Sequence, residues 1–428
     1  MPPILIIISY KIYILNNIAY NFSSFVKIII VGDNMKIVNI KGREVLDSRG
    51  NPTVECEMAL EDGSVYKSIV PSGASTGIRE ALELRDNDSN RYLGIGVLKA
   101  VNNINTIIKE SVIGIDVLDI DDVLLSLDNT PNKVILGSNS MLAVSLCSYK
   151  YYLTINNKVD YKSPFIMCNV INGGAHSNNK LDIQEFMIIP KASNISENIR
   201  MASEIFHVLG KILKEKGYTT SVGDEGGYSP EIKFTEEALD LIILAIRSAN
   251  YVPGVDIFIG LDVAASHFFK DGLYYIDGNS LKSLDLIDYY QDLIEKYPIV
   301  SIEDPFEEND FLSHATLTKR IGNKVMVVGD DLFTTNLGYL KKGKKVGACN
   351  AIIIKPNQIG TMKEVEEVVM YAKKNNYRLI FSHRSGDSED TFIADLAIHF
   401  ESDYVKFGSM SRSERTSKYN QLLRILDK

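Results

Sequence analysis

The chain has 428 residues, of which 45% are hydrophobic and 24% are charged, and its formal net charge is −9. This balance is that of an ordinary globular protein with room for one large domain and one smaller domain. The acidic charge, without a dominant block of Lys and Arg, argues against nucleic acid as the main partner. The four cysteines are far apart and form no C-x-x-C pair. We therefore expect buried free thiols in a reducing compartment rather than a disulfide framework or a thiolate zinc site.

The first 34 residues differ from the rest of the chain, because they are rich in Ile, Tyr and Asn and are interrupted by Lys11 and Lys27. Their longest uncharged apolar run is shorter than the about 20 residues that a membrane-spanning helix needs. They also lack the clean combination of basic start, apolar centre and cleavage site of a signal peptide. Met35 opens a segment typical of a domain start. We interpret residues 1–34 as an upstream in-frame extension or a disordered lead, with a targeting role as the alternative.

A three-stranded antiparallel sheet is predicted for residues 36–70, where apolar runs are separated by the turn sequences SRGNP and EDG. A Gly/Ser loop, SGASTG, follows at residues 72–77. From Arg79 to about Tyr152 the apolar spacing indicates helices. Strands followed by helices, without alternation, predict an α+β cap domain, and a polar stretch near residues 156–164 marks its end.

Eight short apolar runs follow this boundary, with amphipathic helical stretches between the later ones. The alternation predicts a single (β/α)8 barrel of the TIM type. The first two strand candidates lie close together, which allows the barrel to begin with an antiparallel hairpin. The predicted division of the chain is therefore a lead at residues 1–34, an α+β cap domain at 35–160 and a catalytic barrel at 161–428.

Three consecutive strands of the predicted barrel end in an acid, and these acids are Asp262, Glu303 and Asp330. They are separated by about one βα unit each, so a parallel barrel would place the three carboxylates side by side at its C-terminal rim, where barrel enzymes have their sites. Three oxygen ligands without Cys or His suit a hard divalent cation, with Mg²⁺ as the first choice. One such acid alone is more typical of a helix cap or a solvated loop, but three in register favour a metal site.

The next strands bring basic and polar side chains to the same rim. Lys355 ends the following strand, where a bound dication would disfavour its ammonium form and make it usable as a base; the alternative is a lysine that extends to solvent. His383, Arg384 and Ser385 follow, and an arginine with a hydroxyl and backbone N–H groups suits phosphate. Lys406 closes the last strand.

Other candidates lie in loops and on one further strand. Glu225 lies in the Gly-rich loop GDEGG and is a candidate acid, although a tight turn with solvated acids has the same pattern. Gln184 and Glu185 lie on a strand, where a buried glutamate needs a partner. His176 lies in a Gly/Asn loop, and Ser75 becomes an additional oxygen ligand if the SGASTG loop folds over the barrel mouth. Taken alone, both are more typical of ordinary loop residues.

Together and in this order, the motifs resemble those of the enolase family. They are SGASTG, NGGAHSNNKLDIQEFMI, GDEGG, GLDVAAS, SIEDPF, GDDL, KPNQIGT, SHRSG and SRSERTSKYNQLLRI, and they extend from about Met35 to the C-terminus. The resemblance implies the fold of that family, a cap domain followed by a TIM-like barrel. It also implies reversible dehydration of 2-phosphoglycerate to phosphoenolpyruvate in glycolysis, with two Mg²⁺ ions per active site.

The resemblance further implies a role for each candidate residue. Lys355 would remove the C2 proton, and Glu225 would protonate the departing C3 hydroxyl, with Glu185 nearby and His176 over the substrate. The metal ligands that it implies are Asp262, Glu303, Asp330 and, through loop closure, Ser75. The other substrate contacts that it implies are Gln184, the phosphate-binding pair Arg384 and Ser385, and, at the carboxylate, Lys406.

The sequence departs from the family pattern at three places. Pro356 stands where Val is usual, Ile95 where Lys is common, and residues 407–410 read Phe-Gly-Ser-Met where Thr-Gly and small residues are usual. None of these is a predicted site residue. Pro356 removes one backbone donor, and the packing around Phe407 is the open question.

Two rival functions and several properties of the whole protein complete the expectations. A racemase or cycloisomerase of the same superfamily would lack the phosphate pair and the GDEGG acid. An additional surface-displayed role in binding a plasminogen-type host protein is the other rival, to which a terminal Lys428 would contribute. The resemblance implies a cytoplasmic homodimer or homo-octamer, with a secondary cell-surface or secreted pool as the alternative. Neither nucleic acid nor an integral membrane is expected as a partner.

Overall fold

The structure is a computed structural model that describes residues 34–73, 77–156 and 161–426. The predictions for residues 1–33, for Ser75 and for Lys428 fall outside these ranges. From Met35 onward the chain forms one compact unit. The predicted division near residue 160 stays a prediction.

The cap begins with the predicted antiparallel sheet, whose strands pair in the order β1-β2-β3. The strands are β1 (Ile37–Leu46), β2 (Pro52–Leu60) and β3 (Val65–Ile69). In the SRGNP turn, Gly50 adopts φ 76°, a left-handed conformation that glycine adopts without steric cost. Buried residues alternate with partly exposed ones along β2, which indicates that one face of the sheet packs on the core.

The helices of the cap are α1 (Leu98–Asn103), α2 (Lys109–Val112), α3 (Ile120–Leu127) and α4 (Ser138–Ile155). A π-helical turn at Ile104–Ile108 joins α1 to α2. Helix α4 is buried on nearly every side because it lies between the sheet and the elements that follow in the chain. One link across this contact is the bond from Met362 N to Ser145 Oγ at 2.8 Å.

From residue 77 to residue 97 the only helical element is a 3₁₀ turn at Tyr92–Gly94, so the prediction of helical structure from Arg79 onward is otherwise wrong before Leu98. The backbone of this segment instead bonds to distant loops, with Ala81 N donating to Gln358 O at 2.8 Å and Leu82 N to Asn132 O at 2.7 Å. Most apolar side chains of this segment are exposed or only partly buried, and Leu93 is 92% exposed, so the apolar spacing here does not mark the buried face of a helix.

Eight strands close into a barrel in the order β10-β11-β12-β13-β14-β4-β5-β6, while β7, β8 and β9 form a small separate sheet. The strands are β4 (Phe165–Asn172), β5 (Glu185–Pro190), β6 (Ile257–Asp262), β7 (Phe269–Lys270), β8 (Leu273–Ile276), β9 (Asn279–Leu281), β10 (Ile299–Glu303), β11 (Met326–Gly329), β12 (Ala351–Ile354), β13 (Arg378–Ser382) and β14 (Tyr404–Lys406). Strand β5 is antiparallel to both β4 and β6, and the other barrel pairs are parallel. The predicted barrel and its opening hairpin are confirmed.

Apolar side chains from several strands fill the barrel interior, so it is a packed core and not a channel. They are Met167, Met187, Ile189, Met326, Val328, Ala351, Ile353 and Ile380. The helices around the barrel are α5 (Ile195–Glu215), α6 (Thr235–Ser248), α7 (Ser283–Lys296), α8 (Phe311–Ile321), α9 (Leu337–Val346), α10 (Met362–Lys374), α11 (Phe392–His399) and α12 (Ser413–Leu426). Helix α5 begins at Ile195 because the Asn194 side chain accepts from Glu197 N at 2.9 Å.

The four cysteines, Cys56, Cys147, Cys168 and Cys349, are free and buried, as predicted. Within the described ranges, no helix combines the length and apolar character needed to cross a membrane.

Candidate active site

The strand register gathers acidic side chains at one rim of the barrel. Asp262 pairs with Glu303 across the parallel strands β6 and β10. It also pairs with Glu185 across the antiparallel strands β6 and β5. Since β5 runs in the opposite direction, its first residue lies at the same rim as the last residues of its neighbours. The three carboxylates are therefore adjacent although Glu185 begins a strand.

A small polar cavity opens at this rim. The predicted site residues that line it are His176, Gln184, Glu185, Glu225, Asp262, Asp330, Lys355, Arg384, Ser385 and Lys406. Glu303 is completely buried and reaches the same cluster through Lys406. The structure thus brings together every predicted site residue that it describes.

The Lys406 ammonium group lies among three buried carboxylates. Its Nζ is 2.7 Å from Asp262 Oδ2, 2.8 Å from Glu303 Oε2 and 3.2 Å from Glu185 Oε1. Burial disfavours the charged lysine, but these carboxylates outweigh burial and raise the pKa of Lys406 well above its usual value. Burial and the Asp262 charge raise the pKa of Glu303 as well. Lys406 therefore provides a permanent positive charge at the floor of the cavity.

Lys355 forms an ion pair with Asp330 on the next side of the rim. Burial opposes its charge, yet Asp330 raises the pKa of Lys355 above its usual value. The predicted lowering of this pKa does not arise from the protein groups alone, because it depends on a cation that competes for Asp330. Proline disfavours a helical conformation of the residue before it, and Lys355 is extended, with φ −128° and ψ 101°.

Glu225 is buried between two histidines. His383 Nε2 lies 3.4 Å from Glu225 Oε1, and His176 Nδ1 lies 3.5 Å from Glu225 Oε2. Asn169 Nδ2 donates to Glu225 Oε2 at 3.2 Å. Burial and the Glu225 charge raise the pKa of the neighbouring Glu185 well above its usual value. Of the two neighbouring glutamates, Glu185 is therefore the one whose pKa is raised.

The departures at residues 407–410 pack against this acid. Phe407 is fully buried, with its ring edge-on to Tyr419 at 6.0 Å between centroids. Tyr419 Oη donates to Gly408 O at 2.7 Å, and Ser409 N donates to Glu225 O at 2.9 Å. The unusual segment thus fits the core and holds the backbone of the Glu225 loop.

Sequence reasoning missed residues that support the predicted ones. Asp304 accepts from the backbone N–H groups of Asp330 at 3.0 Å and of Asp331 at 2.7 Å, so it fixes the turn after β11. Glu80 of the cap pairs with Arg384. Asp304 and Asp331 adjoin predicted ligands in the sequence, which was a usable signal for them. Glu80 had only its position shortly after the SGASTG loop.

The residues present suit a divalent cation. Donor atoms lie within 4.8 Å of one another in two groups: His176 with Glu185 and Glu225, and Asp304 with Asp330 and Asp331. Among the described residues, the buried atoms Glu185 Oε2, Gln184 Oε1 and His176 Nδ1 have no hydrogen-bond partner. Such an oxygen-rich, partly unsatisfied donor set is what a hard cation requires. The predicted ligands do not form a single such group, because Asp262 and Glu303 contact Lys406 while Asp330 contacts Lys355.

An α+β cap and a barrel with buried acids and lysines at its strand ends are the arrangement of a barrel enzyme. The family model for "Enolase, N-terminal domain" matches residues 37–157, and the model for "Enolase, C-terminal TIM barrel domain" matches residues 160–428. The chain belongs to the enolase family.

Proposed function

We propose that this protein catalyses the reversible, Mg²⁺-dependent dehydration of 2-phospho-D-glycerate to phosphoenolpyruvate, as a hydro-lyase of glycolysis. The observation that carries the proposal is a lysine and a pair of carboxylates on opposite sides of one buried cavity. Lys355 follows β12 and Glu185 begins β5, and these strands are four positions apart in the eight-stranded ring. A base and an acid in this arrangement can act on two neighbouring carbons of one small substrate.

Lys355 is the proposed base that takes the C2 proton. This proton is weakly acidic, because its removal places a second negative charge next to a carboxylate. A divalent cation held by Asp262, Glu303 and Asp330 would supply positive charge that lowers the cost of that step. When Asp330 is engaged in this way, it no longer pairs with Lys355, whose pKa then falls toward a value suited to a base.

The Glu185–Glu225 pair is the proposed acid. As the C3–O bond breaks, Glu225 donates a proton to the departing hydroxyl, which leaves as water. Glu185 keeps a proton available, because burial and its acidic neighbour raise its pKa. Arg384 and Ser385 bind the phosphate, and Lys406 binds the carboxylate of the substrate.

Ser75 is the proposed ligand of the second Mg²⁺, and Gln184 and His176 are proposed substrate contacts. A cytoplasmic homodimer or homo-octamer belongs to the same proposal. Light scattering of the purified protein during size-exclusion chromatography would distinguish the two assemblies. No described residue favours the additional role in binding a host protein, since Lys428 lies outside the described ranges.

The decisive experiment measures formation of phosphoenolpyruvate from 2-phosphoglycerate by the purified protein. We expect turnover that stops with a chelator and returns when Mg²⁺ is added back. Absence of turnover at saturating Mg²⁺ would reject the proposed reaction. The same assay with the unphosphorylated acid, on which we expect no turnover, separates the proposal from the racemase and cycloisomerase alternative.

A further inference from the structure

Arg415, in the first turn of α12, is a fully buried guanidinium beneath the cavity. It belongs to the SRSERT motif, which has no part in the reaction proposed above. Its Nη2 donates to Asp224 O at 3.0 Å and to Ser385 O at 2.6 Å, and its Nη1 donates to Arg384 O at 2.5 Å. One side chain therefore ties the loop that carries Glu225 to the loop that carries the phosphate pair.

The fourth contact of the Arg415 guanidinium determines which ring nitrogen of His383 carries the proton. Arg415 Nη1 lies 2.5 Å from His383 Nδ1. A guanidinium has only donors and stays protonated in proteins, so Nδ1 must be the acceptor of this bond and carries no hydrogen. The remaining proton of a neutral imidazole then lies on Nε2.

The other ring nitrogen of His383, Nε2, faces Glu225. Nε2 lies 3.4 Å from Glu225 Oε1, and His383 lines the cavity. Among the described residues Nε2 has no hydrogen-bond partner, so its N–H is available. Burial lowers the pKa of His383 to about 4, which agrees with a neutral ring.

We propose that Arg415 is a positioning residue that fixes His383 as the Nε2–H tautomer and sets the spacing between the GDEGG and SHRSG loops. The consequence is a neutral N–H donor held toward Glu225 and the reacting end of the substrate. Its catalytic meaning rests on the function proposed above, but the tautomer itself does not.

Lysine cannot replace this arginine. The planar guanidinium reaches three carbonyl oxygens and one ring nitrogen at the same time, whereas an ammonium is a compact point charge on a flexible stem. Arg415→Lys therefore keeps the charge but loses part of the set of bonds. We expect the proton of His383 to redistribute between Nδ1 and Nε2 in this variant.

The test is side-chain ¹⁵N NMR of the full chain labelled at histidine, at neutral pH, with His383→Gln to assign the signal. We expect a protonated, pyrrole-type nitrogen at Nε2 and an unprotonated, pyridine-type nitrogen at Nδ1. A protonated Nδ1 in the wild-type protein would overturn the proposal. The tautomer is read from the wild-type protein and does not need an active enzyme, so it is decided separately from the proposed function.

Kinetics then separate positioning from a merely structural role. For Arg415→Lys we expect kcat to fall about 100-fold, within the range of acid–base contributions, with a much smaller change in KM. The control Arg247→Lys alters an exposed arginine in the last turn of α6 and should leave both constants unchanged. A folded Arg415→Lys variant with the wild-type tautomer would overturn the proposal.

Discussion

Glu80 of the cap and Arg384 at the barrel rim form a two-pronged ion pair, with Nη1 to Oε2 at 2.8 Å and Nη2 to Oε1 at 3.1 Å. Their side chains are 8% and 3% exposed. Glu80 Oε1 also accepts from the N–H of Gly77, the last residue of the SGASTG loop, at 3.1 Å. The charge of Arg384, the proposed phosphate-binding residue, is thus already neutralised by the Glu80 carboxylate of the cap.

Glu80→Gln is predicted to destabilise the ligand-free protein and to strengthen phosphate binding. Removal of one charge of a buried pair leaves the other uncompensated, at a cost of about 3 kcal/mol. Phosphate bound at Arg384 would supply the missing negative charge, so it should stabilise the variant more than the wild type. Urea unfolding with and without inorganic phosphate would measure both effects. The control Glu197→Gln breaks an exposed pair with Arg200 and should change neither value. Equal phosphate stabilisation of variant and wild type would contradict the prediction.

Lys355→Ala is predicted to abolish exchange of the C2 proton while substrate binding stays measurable. A general base contributes about 10²–10⁴-fold to the rate, and no other lysine lies beside Asp330 at this wall of the described cavity. Loss of the C2 hydrogen signal in D₂O follows the exchange by NMR. Lys319→Ala, at an exposed site in the last turn of α8, is the control. Wild-type exchange in Lys355→Ala would remove this lysine as the base.

Asp304→Ala is predicted to raise the Mg²⁺ concentration needed for half-maximal activity. Asp304 holds the backbone of Asp330 and Asp331, and loss of such outer support typically costs about 10–100-fold in metal affinity. A Mg²⁺ titration of the activity gives the value, with Asp288→Ala at a mostly exposed side chain as control. An unchanged Mg²⁺ requirement would show that the turn keeps its shape without Asp304.

Asp121 is predicted to make the stability of the fold depend on pH. Its Oδ1 is buried without a hydrogen-bond partner, and burial raises its pKa from 3.8 to about 6. Because the folded-state pKa lies above the unfolded one, the protonated carboxyl stabilises the fold below about pH 4, and this contribution is lost as the pH rises through 6.

Asp121→Asn should therefore match the wild type at low pH and be more stable at pH 7, by about 3 kcal/mol. Chemical unfolding between pH 4 and pH 8 tests this. Asp122→Asn, whose side chain is 67% exposed, should not show the pH-dependent gain. A gain for Asp121→Asn that is the same at every pH would contradict the assigned cause.

The barrel and much of the site were predictable because their signals are local. Asp262, Glu303 and Lys355 each end an apolar run, and a closed parallel barrel has only one rim at which such ends can meet. The pair of Glu80 and Arg384 was not predictable, because 304 positions separate its members. Nothing in either local sequence indicates that contact.

The helical prediction after Arg79 was wrong because the backbone there bonds to distant loops, which local sequence does not reveal. The lowered pKa of Lys355 stays a prediction that depends on a bound cation. Arg415 was overlooked for a related reason, because an arginine near a helix start reads as a surface residue until burial is known.

The reversed direction of β5 has a mechanical consequence for the two glutamates. Glu185 is followed at once by strand residues that are paired on both sides, so its backbone is anchored. Glu225 lies in a loop and is held through contacts with Ser409 and Asn169. If the rim rearranged, the distance between the two carboxylates would therefore change through movement of Glu225, while Glu185 stayed in place. The two carboxylates therefore differ in support, since one is anchored in a strand and the other is held by a loop.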